Sequence, residues 1–315
     1  MLMLNNLSNP LATPDQLSTS GSQLDGIPAE LESSIRYAAI RLTQAAGILL
    51  RLPQDIIGQA IVVFTRFWVG PEGGSLRQHG AMVCPDHISM LRLKFDILAF
   101  QEISAASLYM MAKLSALPQT PRNLLNVYAY LISTDSPLSL AGEEHQHPNP
   151  ETYYLSEGTY YAQRNNLMKS EALILRTLGF QTHVALPYTL AINYLQALDI
   201  FGRASSAELS RRTFSHLSAA LMSPQLLYLT HQPSALATAA IYLAARELGV
   251  KLPSEEWWEV FDVDREELGF LVVGMGSMEG FAAAEKEKWA DRNLPLTVSD
   301  VEIEMHNWWS AKNGE

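Results

Sequence analysis

The chain has 315 residues, 48% hydrophobic and 17% charged, which is enough apolar material for sizeable cores and excludes a wholly disordered polypeptide. Its 22 Lys and Arg against 33 Asp and Glu give a formal net charge of −11, which argues against a nonspecific nucleic-acid-binding domain. The one cysteine, Cys84, excludes an intramolecular disulfide, a CxxC redox pair and a multi-cysteine zinc site.

The first segment of the chain is polar. Residues 1–27 are rich in Ser, Asn, Gln, Pro and Thr and have little apolar periodicity, which predicts a flexible N-terminal tail. The opening MLMLNNLSNP has no basic segment followed by a long apolar core, so we expect no secretory signal. The longest apolar stretch, Leu268 to Phe281, contains four glycines and is shorter than the roughly 20 residues of a spanning helix, so we expect no membrane segment.

Helical periodicity begins near Ala29 and continues almost throughout the first half. Pro53 separates the first two predicted helices. Residues 70–94 interrupt the pattern with glycines and prolines, and this predicts an insertion or long loop. Helices at about 100–114 and 123–132, a second loop at 133–150 and a long helix at 153–178 follow, the last ending at Gly179 as an αL cap.

The second half repeats this organisation. Apolar spacing and Pro or Gly signals predict helices near 186–199, 205–222, 233–248, 254–261 and 263–290. Because no segment shows sustained strand alternation, the predicted fold class is all-α. Residues 291–315 are predicted to form a short C-terminal extension, in which Trp308 and Trp309 suggest a docked segment.

Two pairs of segments indicate an internal repeat. The sequence from Leu108 to Lys113 matches Ile241 to Arg246 at an offset of 133, and Gln44 to Ile48 resembles Gln196 to Ile200 at an offset of 152. A period of this length predicts two duplicated domains rather than a solenoid of short repeats. We therefore expect two five-helix domains at 28–184 and 185–290, after the tail at 1–27 and before the extension at 291–315.

Motifs for catalysis are missing. The chain has no GxxxxGK[ST] loop, no HExxH and no GxSxG. The glycine-rich stretch from Gly274 to Gly280 has the wrong spacing for a dinucleotide loop and instead indicates close helix packing or a kink. His145 and His147 lie in a Pro-rich segment that favours a solvated polar loop over a metal site. We expect no catalytic residues, no cofactor and no metal ion.

Two charges interrupt apolar helical stripes, where burial is costly. Lys113 lies on the stripe between Met110 and Leu117, and Glu171 lies between Leu167 and Ile174. Such a residue must extend its charged tip to water or be paired and hydrogen-bonded. One hypothesis is that the two pair across helices or hold polar groups of a partner. The other is that both are boundary residues whose tips reach water.

Several segments, in an order that agrees with the internal repeat, resemble the transcriptional cyclins, closest to the L type. Together they span about residues 30 to 290. The segments are Gln44 to Gln54, Phe64 to Trp68, Ala105 to Lys113, Pro121 to Tyr128, Glu171 to Phe180, Pro187 to Gln196 and Ala239 to Arg246.

The resemblance implies two tandem cyclin boxes, the first with loop insertions near 70–94 and 133–150. It implies a regulatory subunit that binds and activates a cyclin-dependent protein kinase in transcription or pre-mRNA splicing. Such a protein forms a heterodimer with the kinase, is nuclear, and contacts neither nucleic acid nor membrane directly. The alternative is a cyclin-fold scaffold or transcription factor that binds no kinase; a general factor of that kind would favour a zinc ribbon and a basic DNA-binding face.

The resemblance also assigns kinase-binding residues. Lys113 and Glu171 match the pair that contacts the regulatory helix of the kinase, and Leu114, Leu175 and Phe180 match apolar positions that pack against that helix.

The chain departs from the family in three respects, one of which is that the insertion at 70–94 is longer than the family's usual connection. The family usually has acidic residues just after the Lys, whereas this chain has Leu114, Ser115 and Ala116. The substrate-docking patch of cell-cycle cyclins would fall on Ile35, Ala38, Ala39 and Leu42, where two alanines replace bulkier residues and argue against a docking groove.

Overall fold

The computed structural model describes residues 7–76, 99–133, 153–201, 205–253, 256–290 and 298–313. These ranges form helices and connecting turns and contain no strand, which confirms the predicted all-α class. Residues 77–94 of the predicted insertion and 134–150 of the predicted second loop lie outside the described residues, as do Cys84, His145 and His147.

The chain divides into two compact units. The first unit comprises Pro14–Thr182 and Lys288–Glu315, and the second comprises Met1–Thr13 and His183–Glu287. The helices of the first unit are α1 (Pro14–Ser18), α2 (Gly21–Leu24), α3 (Ala29–Leu49), α4 (Gln54–Phe67), α5 (Ala99–Leu114), α6 (Pro121–Ile132) and α7 (Glu157–Thr177).

The second unit contains most of the remaining helices. They are α8 (Tyr188–Ala197), α9 (Ser206–Ala220), α10 (Leu227–Thr230), α11 (Pro233–Leu248), a 3₁₀ turn (Glu259–Phe261), α12 (Arg265–Gly276) and α13 (Met278–Lys288). The last helix, α14 (Val298–Asn313), belongs to the first unit.

One helix lies at the centre of each unit. In the first unit α5 packs against α3, α4, α6 and α7, and in the second unit α11 packs against α8, α9 and α12. Both central helices are rich in small buried residues, such as Ala106 and Ala112 in α5 and Ala239 and Ala244 in α11. Small side chains let neighbouring helices approach closely around a common core. These are also the two helices that carry the internal repeat at an offset of 133.

Local signals account for the ends of several helices. Thr120 caps α6 by accepting a hydrogen bond from the Asn123 amide at 3.2 Å, with Pro121 in the first turn. Gly249 ends α11 in the αL conformation, at a φ of +64°. The predicted helix at 263–290 is two helices, because α12 ends at Gly276 and α13 begins at Met278.

Residues 7–27 of the segment predicted as a flexible N-terminal tail form two short helices and tertiary contacts in the structure. Asn9 is 4% exposed, and its side chain both donates to the Ala185 carbonyl and accepts from the Ala185 amide, each at 2.8 Å. The Gln232 side chain accepts a hydrogen bond from the Asn9 amide at 3.0 Å and donates one to the Asn9 carbonyl at 3.1 Å. A polar residue of this segment, Asn9, therefore makes buried hydrogen bonds with the protein and is not solvated.

The described start of the predicted insertion is also ordered. The Gly21 amide donates to the Gly70 carbonyl at 3.0 Å, and the Leu76 amide donates to the Ser22 hydroxyl at 3.2 Å. Gly70 has a φ of +88°, and a Cβ on Gly74 would overlap the Phe67 ring. Glycine is needed here because the chain turns sharply and passes directly over an aromatic side chain.

Candidate functional site

Lys113 and Glu171 are brought together by the packing of α5 against α7. The Lys113 Nζ donates a hydrogen bond to the Glu171 Oε1, and the two groups form a salt bridge. Of the two hypotheses left open by the sequence, the structure therefore shows pairing across helices. Lys113 lies in the last turn of α5, where the negative end of the helix dipole favours a cation.

The two members of this pair differ in exposure. The Glu171 side chain is 11% exposed, whereas the Lys113 side chain is 47% exposed. The Lys113 Nζ also lies 5.2 Å from the centroid of the Tyr109 ring, within cation–π range. The buried carboxylate and the ring hold the ammonium group in place at the surface, with part of it open to a further partner.

A Schellman motif ends α7 and positions two more of the predicted site residues. The Phe180 amide donates to the Leu175 carbonyl at 2.8 Å, and the Gly179 amide donates to the Arg176 carbonyl at 3.1 Å. Gly179 has a φ of +55°, as expected for the αL cap predicted from the sequence, and Phe180 has a φ of +61°. Leu175 lies one helical turn after Glu171, so the Schellman motif begins one turn beyond the ion pair on the same helix.

Two of the apolar site residues are strongly exposed. Leu114 is 60% exposed and Phe180 is 69% exposed, while Leu175 is half-buried. Large apolar side chains left in water beside a partly buried ion pair are typical of the core of a protein–protein interface before the partner binds. The structure thus pairs Lys113 with Glu171 and leaves apolar surface at Leu114, directly after Lys113, and at Phe180, after the end of α7.

Ser115 occupies a position where the resemblance leads one to expect an acidic residue. Its hydroxyl donates to the Ala112 carbonyl at 2.8 Å and accepts from the Leu117 amide at 3.0 Å. The side chain therefore serves the end of α5 and the turn that follows it. This local role is a physical reason for a short hydroxyl at this position.

The positions on which the substrate-docking patch of cell-cycle cyclins would fall are buried. Ile35, Ala38, Ala39 and Leu42 lie on α3, and none of the four is more than 8% exposed. The helix α3 packs against α2, α4, α5 and α6.

The sequence reasoning missed a second polar contact between α5 and α7. The Asn166 Nδ2 donates to the Glu102 Oε1 at 3.0 Å, and the Ser170 hydroxyl donates to the Glu102 Oε2 at 3.5 Å. Burial raises the pKa of Glu102 by more than these hydrogen bonds and the charge of Lys169 lower it. A signal was present, because Glu102 precedes Lys113 by 11 residues and so shares its helix face.

The ranges that the structure describes contain no group of three or more His, Cys, Asp or Glu side chains able to hold a metal ion. Within the same ranges, no helix is long and apolar enough to cross a bilayer.

Several curated proteins are similar to the chain in sequence. Cyclin-L1 of Danio rerio is 28% identical over 268 residues, which cover 85% of this chain and 46% of that protein. Cyclin-L1 of Homo sapiens is also 28% identical over 268 residues, which cover 85% of this chain and 44% of that protein. Cyclin-L2 of Homo sapiens is 28% identical over 263 residues, covering 83% and 43%. The chain therefore spans less than half the length of these relatives, and no family model matches it.

Solved structures with the same fold include chains of two complexes. A chain of the yeast RNA Pol II CTD kinase CTDK-1 complex has a TM-score of 0.62 at 12% identity and covers 96% of this chain and 84% of its own length. A chain of the CAK complex from Chaetomium thermophilum bound to ATP-γ-S has a TM-score of 0.52 at 13% identity, covering 90% and 79%. The relatives in sequence confirm the resemblance to the cyclins, with the L type as predicted, and the structures confirm an all-α cyclin fold.

Proposed function

We propose that the protein is a regulatory cyclin subunit that binds and activates a cyclin-dependent protein kinase acting in transcription or pre-mRNA splicing. It works as a heterodimer with the kinase in the nucleus, contributes no catalytic group of its own, and makes no direct contact with nucleic acid or membrane. Relatives named Cyclin-L1 and Cyclin-L2 and neighbours in two kinase complexes support this proposal. The boundaries at 28–184 and 185–290 remain part of the proposal as its two cyclin boxes.

The observation that carries the proposal is the ion pair of Lys113 with Glu171 beside the exposed Leu114 and Phe180. A charged pair that is already formed in the free protein presents its remaining donors and acceptors in one geometry. A partner helix can then bury the flanking apolar side chains while its polar groups satisfy the pair. Leu175 adds a half-buried apolar contact on the same helix as Glu171.

Activation follows from binding one kinase conformation more tightly than the other. A protein kinase is active when its conserved Lys–Glu ion pair is formed, which depends on the position of its regulatory helix. A cyclin that docks only on that position shifts the kinase population toward it by its differential binding energy. The protein thus needs a rigid docking surface and no reactive group.

The test is reconstitution. The purified chain is mixed in turn with each nuclear cyclin-dependent kinase of the same organism, and both complex formation and substrate phosphorylation are measured. We expect one kinase to co-elute with the chain and to gain activity. Copurification with no kinase and no rise in phosphorylation would favour the alternative of a cyclin-fold scaffold that binds no kinase. That alternative draws on the absence of acidic residues at Leu114, Ser115 and Ala116.

A further inference from the structure

A cleft of about 170 Å³ lies between α5, α6 and α7 in the first unit. Its walls are mostly apolar and include Leu125, Tyr128, Ile132 and Leu167. Glu102 in the cleft wall and Lys113 are about 16 Å apart along α5 at about 1.5 Å per residue, whereas Ser170, which donates to Glu102, directly precedes Glu171 on α7. An apolar cleft with a few convergent polar groups is the usual form of a binding site for a small group.

The polar groups of the cleft wall come from Gln101 and Glu102 of α5 and from Gln163 of α7. Gln101 is 4% exposed, and its Oε1 is enclosed by the protein. Each oxygen of Glu102 accepts one hydrogen bond, from Asn166 or Ser170, and keeps further acceptor capacity. The two carboxylate oxygens therefore favour a ligand that brings several N–H donors.

The charge balance of the cleft points in the same direction. Glu102 is the acidic residue in the cleft wall, and burial raises its pKa because the carboxylate loses hydration. A cation bound beside it would restore the lost stabilisation of the charged form. The apolar walls favour a cation that is weakly hydrated and carried on an aliphatic stem, and a guanidinium is less strongly hydrated than an ammonium.

We propose that this cleft binds the guanidinium group of an arginine side chain supplied by a partner polypeptide. The planar group donates to Glu102, its methylene stem packs against Leu125 and Leu167, and its face lies near the Tyr128 ring. This site adds an anchor point to the first unit beyond the Lys113–Glu171 pair. An extended segment of about five residues spans the distance between the two at about 3.3 Å per residue.

A titration of the unchanged full-length chain provides the first test. The probes are Nα-acetyl-arginine methylamide, the corresponding citrulline compound, which is nearly isosteric and uncharged, and the lysine compound. Methyl NMR signals of Leu125, Ile132 and Leu167 report on the cleft, and those of Leu195 in the second unit serve as the reference. We expect saturable shifts at the cleft with arginine, and binding weaker by about tenfold with citrulline because the charge-assisted hydrogen bonds are lost. Lysine should bind more weakly than arginine.

A pair of variants provides the second test. Glu102→Gln should weaken arginine binding by about tenfold, because it removes the carboxylate and keeps the size of the side chain. Glu157→Gln removes the same charge from an exposed position on α7 and should leave binding unchanged. Equal binding of arginine and citrulline, equal binding of arginine and lysine, or an undiminished affinity in Glu102→Gln would each overturn the proposal. If Glu102→Gln does not fold, the comparison of the three probes on the unchanged chain decides.

Discussion

At the scale of single residues, the Lys113–Glu171 pair joins a buried carboxylate to a half-exposed lysine side chain. The carboxylate has given up most of its contact with water, and the ammonium group replaces that hydration with a direct hydrogen bond. In the free protein the lysine tip still reaches water, so the pair resembles an exposed one, with a contribution of about 0–1 kcal/mol. A partner that covers Lys113 would remove that water. Loss of either charge would then cost more free energy, because the remaining charge would be buried without a partner.

The first prediction concerns this pair. Lys113→Ala and Glu171→Ala should each weaken kinase binding by about 30-fold to several thousandfold, since breaking a desolvated pair at an interface costs about 2–5 kcal/mol. The melting temperature should change little. The double variant should lose no more than about the larger single loss, because each change removes the same interaction.

The matched control is the exposed pair of Glu208 with Arg211 on α9, whose side chains are 52% and 74% exposed. Alanine at either of these positions should leave kinase affinity within about threefold, as expected for an exposed pair of about 0–1 kcal/mol. Small additive effects of Lys113→Ala and Glu171→Ala, comparable with this control, would refute the assigned role of the pair.

The second prediction is a pH dependence at Glu102. Because burial raises the pKa of this carboxyl in the folded state, the folded protein binds its proton more tightly than the unfolded chain does. The stability that this contributes is fully present below the unfolded pKa, about 4.3 for Glu, and is lost as pH rises through the folded pKa. Relative to Glu102→Gln, the unchanged protein should therefore lose free energy of unfolding as pH is raised from about 4 to 7.

Urea denaturation of both proteins across this pH range measures the difference directly. A constant difference in the free energy of unfolding at all pH values would contradict the shifted pKa. Glu157→Gln, at an exposed position of α7, serves as the control, with little pH dependence expected from that change.

At the scale of secondary-structure elements, the end of α7 connects backbone conformation to the proposed docking surface. In the Schellman motif, Gly179 adopts a φ of +55° and the chain reverses its direction there. The reversal allows the Phe180 amide to donate a hydrogen bond to the Leu175 carbonyl. No atom lies within 4 Å of a Cβ placed on Gly179 or on Gly158, near the start of the same helix. The two glycines therefore differ in conformation and not in available space.

The third prediction compares alanine at these two glycines. Gly179→Ala should lower the free energy of unfolding by about 1 kcal/mol, because an L residue is strained in the αL region. Gly158→Ala, within the first turn of the helix, should raise it by about 0.5–1 kcal/mol by reducing the entropy of the unfolded chain. Urea denaturation checks both values. Destabilisation by both changes, or by neither, would show that the cap does not depend on the αL conformation of Gly179.

At the scale of the whole molecule, residues distant in sequence complete each compact unit. The second unit includes Met1–Thr13 as well as His183–Glu287. Asn9 is held by reciprocal hydrogen bonds with Ala185 and Gln232, and the Ala12 amide donates to the Leu229 carbonyl at 2.8 Å. The N-terminal segment is therefore part of the second unit, although residues Pro14–Thr182 separate it in sequence from the rest of that unit.

The fourth prediction concerns this N-terminal segment. Asn9→Ala should leave the buried amide and carbonyl of Ala185 without their partners and cost about 1–3 kcal/mol of stability. Hydrogen exchange followed by mass spectrometry should show faster exchange at the Ala185 amide, with exchange in α5 unchanged. Pro10→Ala, at the exposed neighbouring position, should leave exchange unchanged. Exchange in Asn9→Ala that matches the unchanged protein would show that the segment is not needed for the second unit.

Local patterns along the chain predicted most of the helices. Apolar spacing and the signals at Pro53, Gly179 and Gly249 depend only on neighbouring residues, so they are visible in the sequence. The break between α12 and α13 was missed, because the helical periodicity runs through it. Glu102 was missed because its carboxylate lies beside polar residues of α7 that are more than 60 positions away in sequence.

The sequence by itself determined the all-α class, the repeat of central helices, the αL cap at Gly179 and the two charges that needed a partner. These follow from periodicity and from the cost of burying a charge, which are properties of local sequence. Only the tertiary structure decided that Lys113 and Glu171 meet, that Asn9 is buried, and that a cleft lined by Gln101 and Glu102 opens between three helices. Those outcomes depend on which helix faces pack together, and packing joins residues that no local pattern relates.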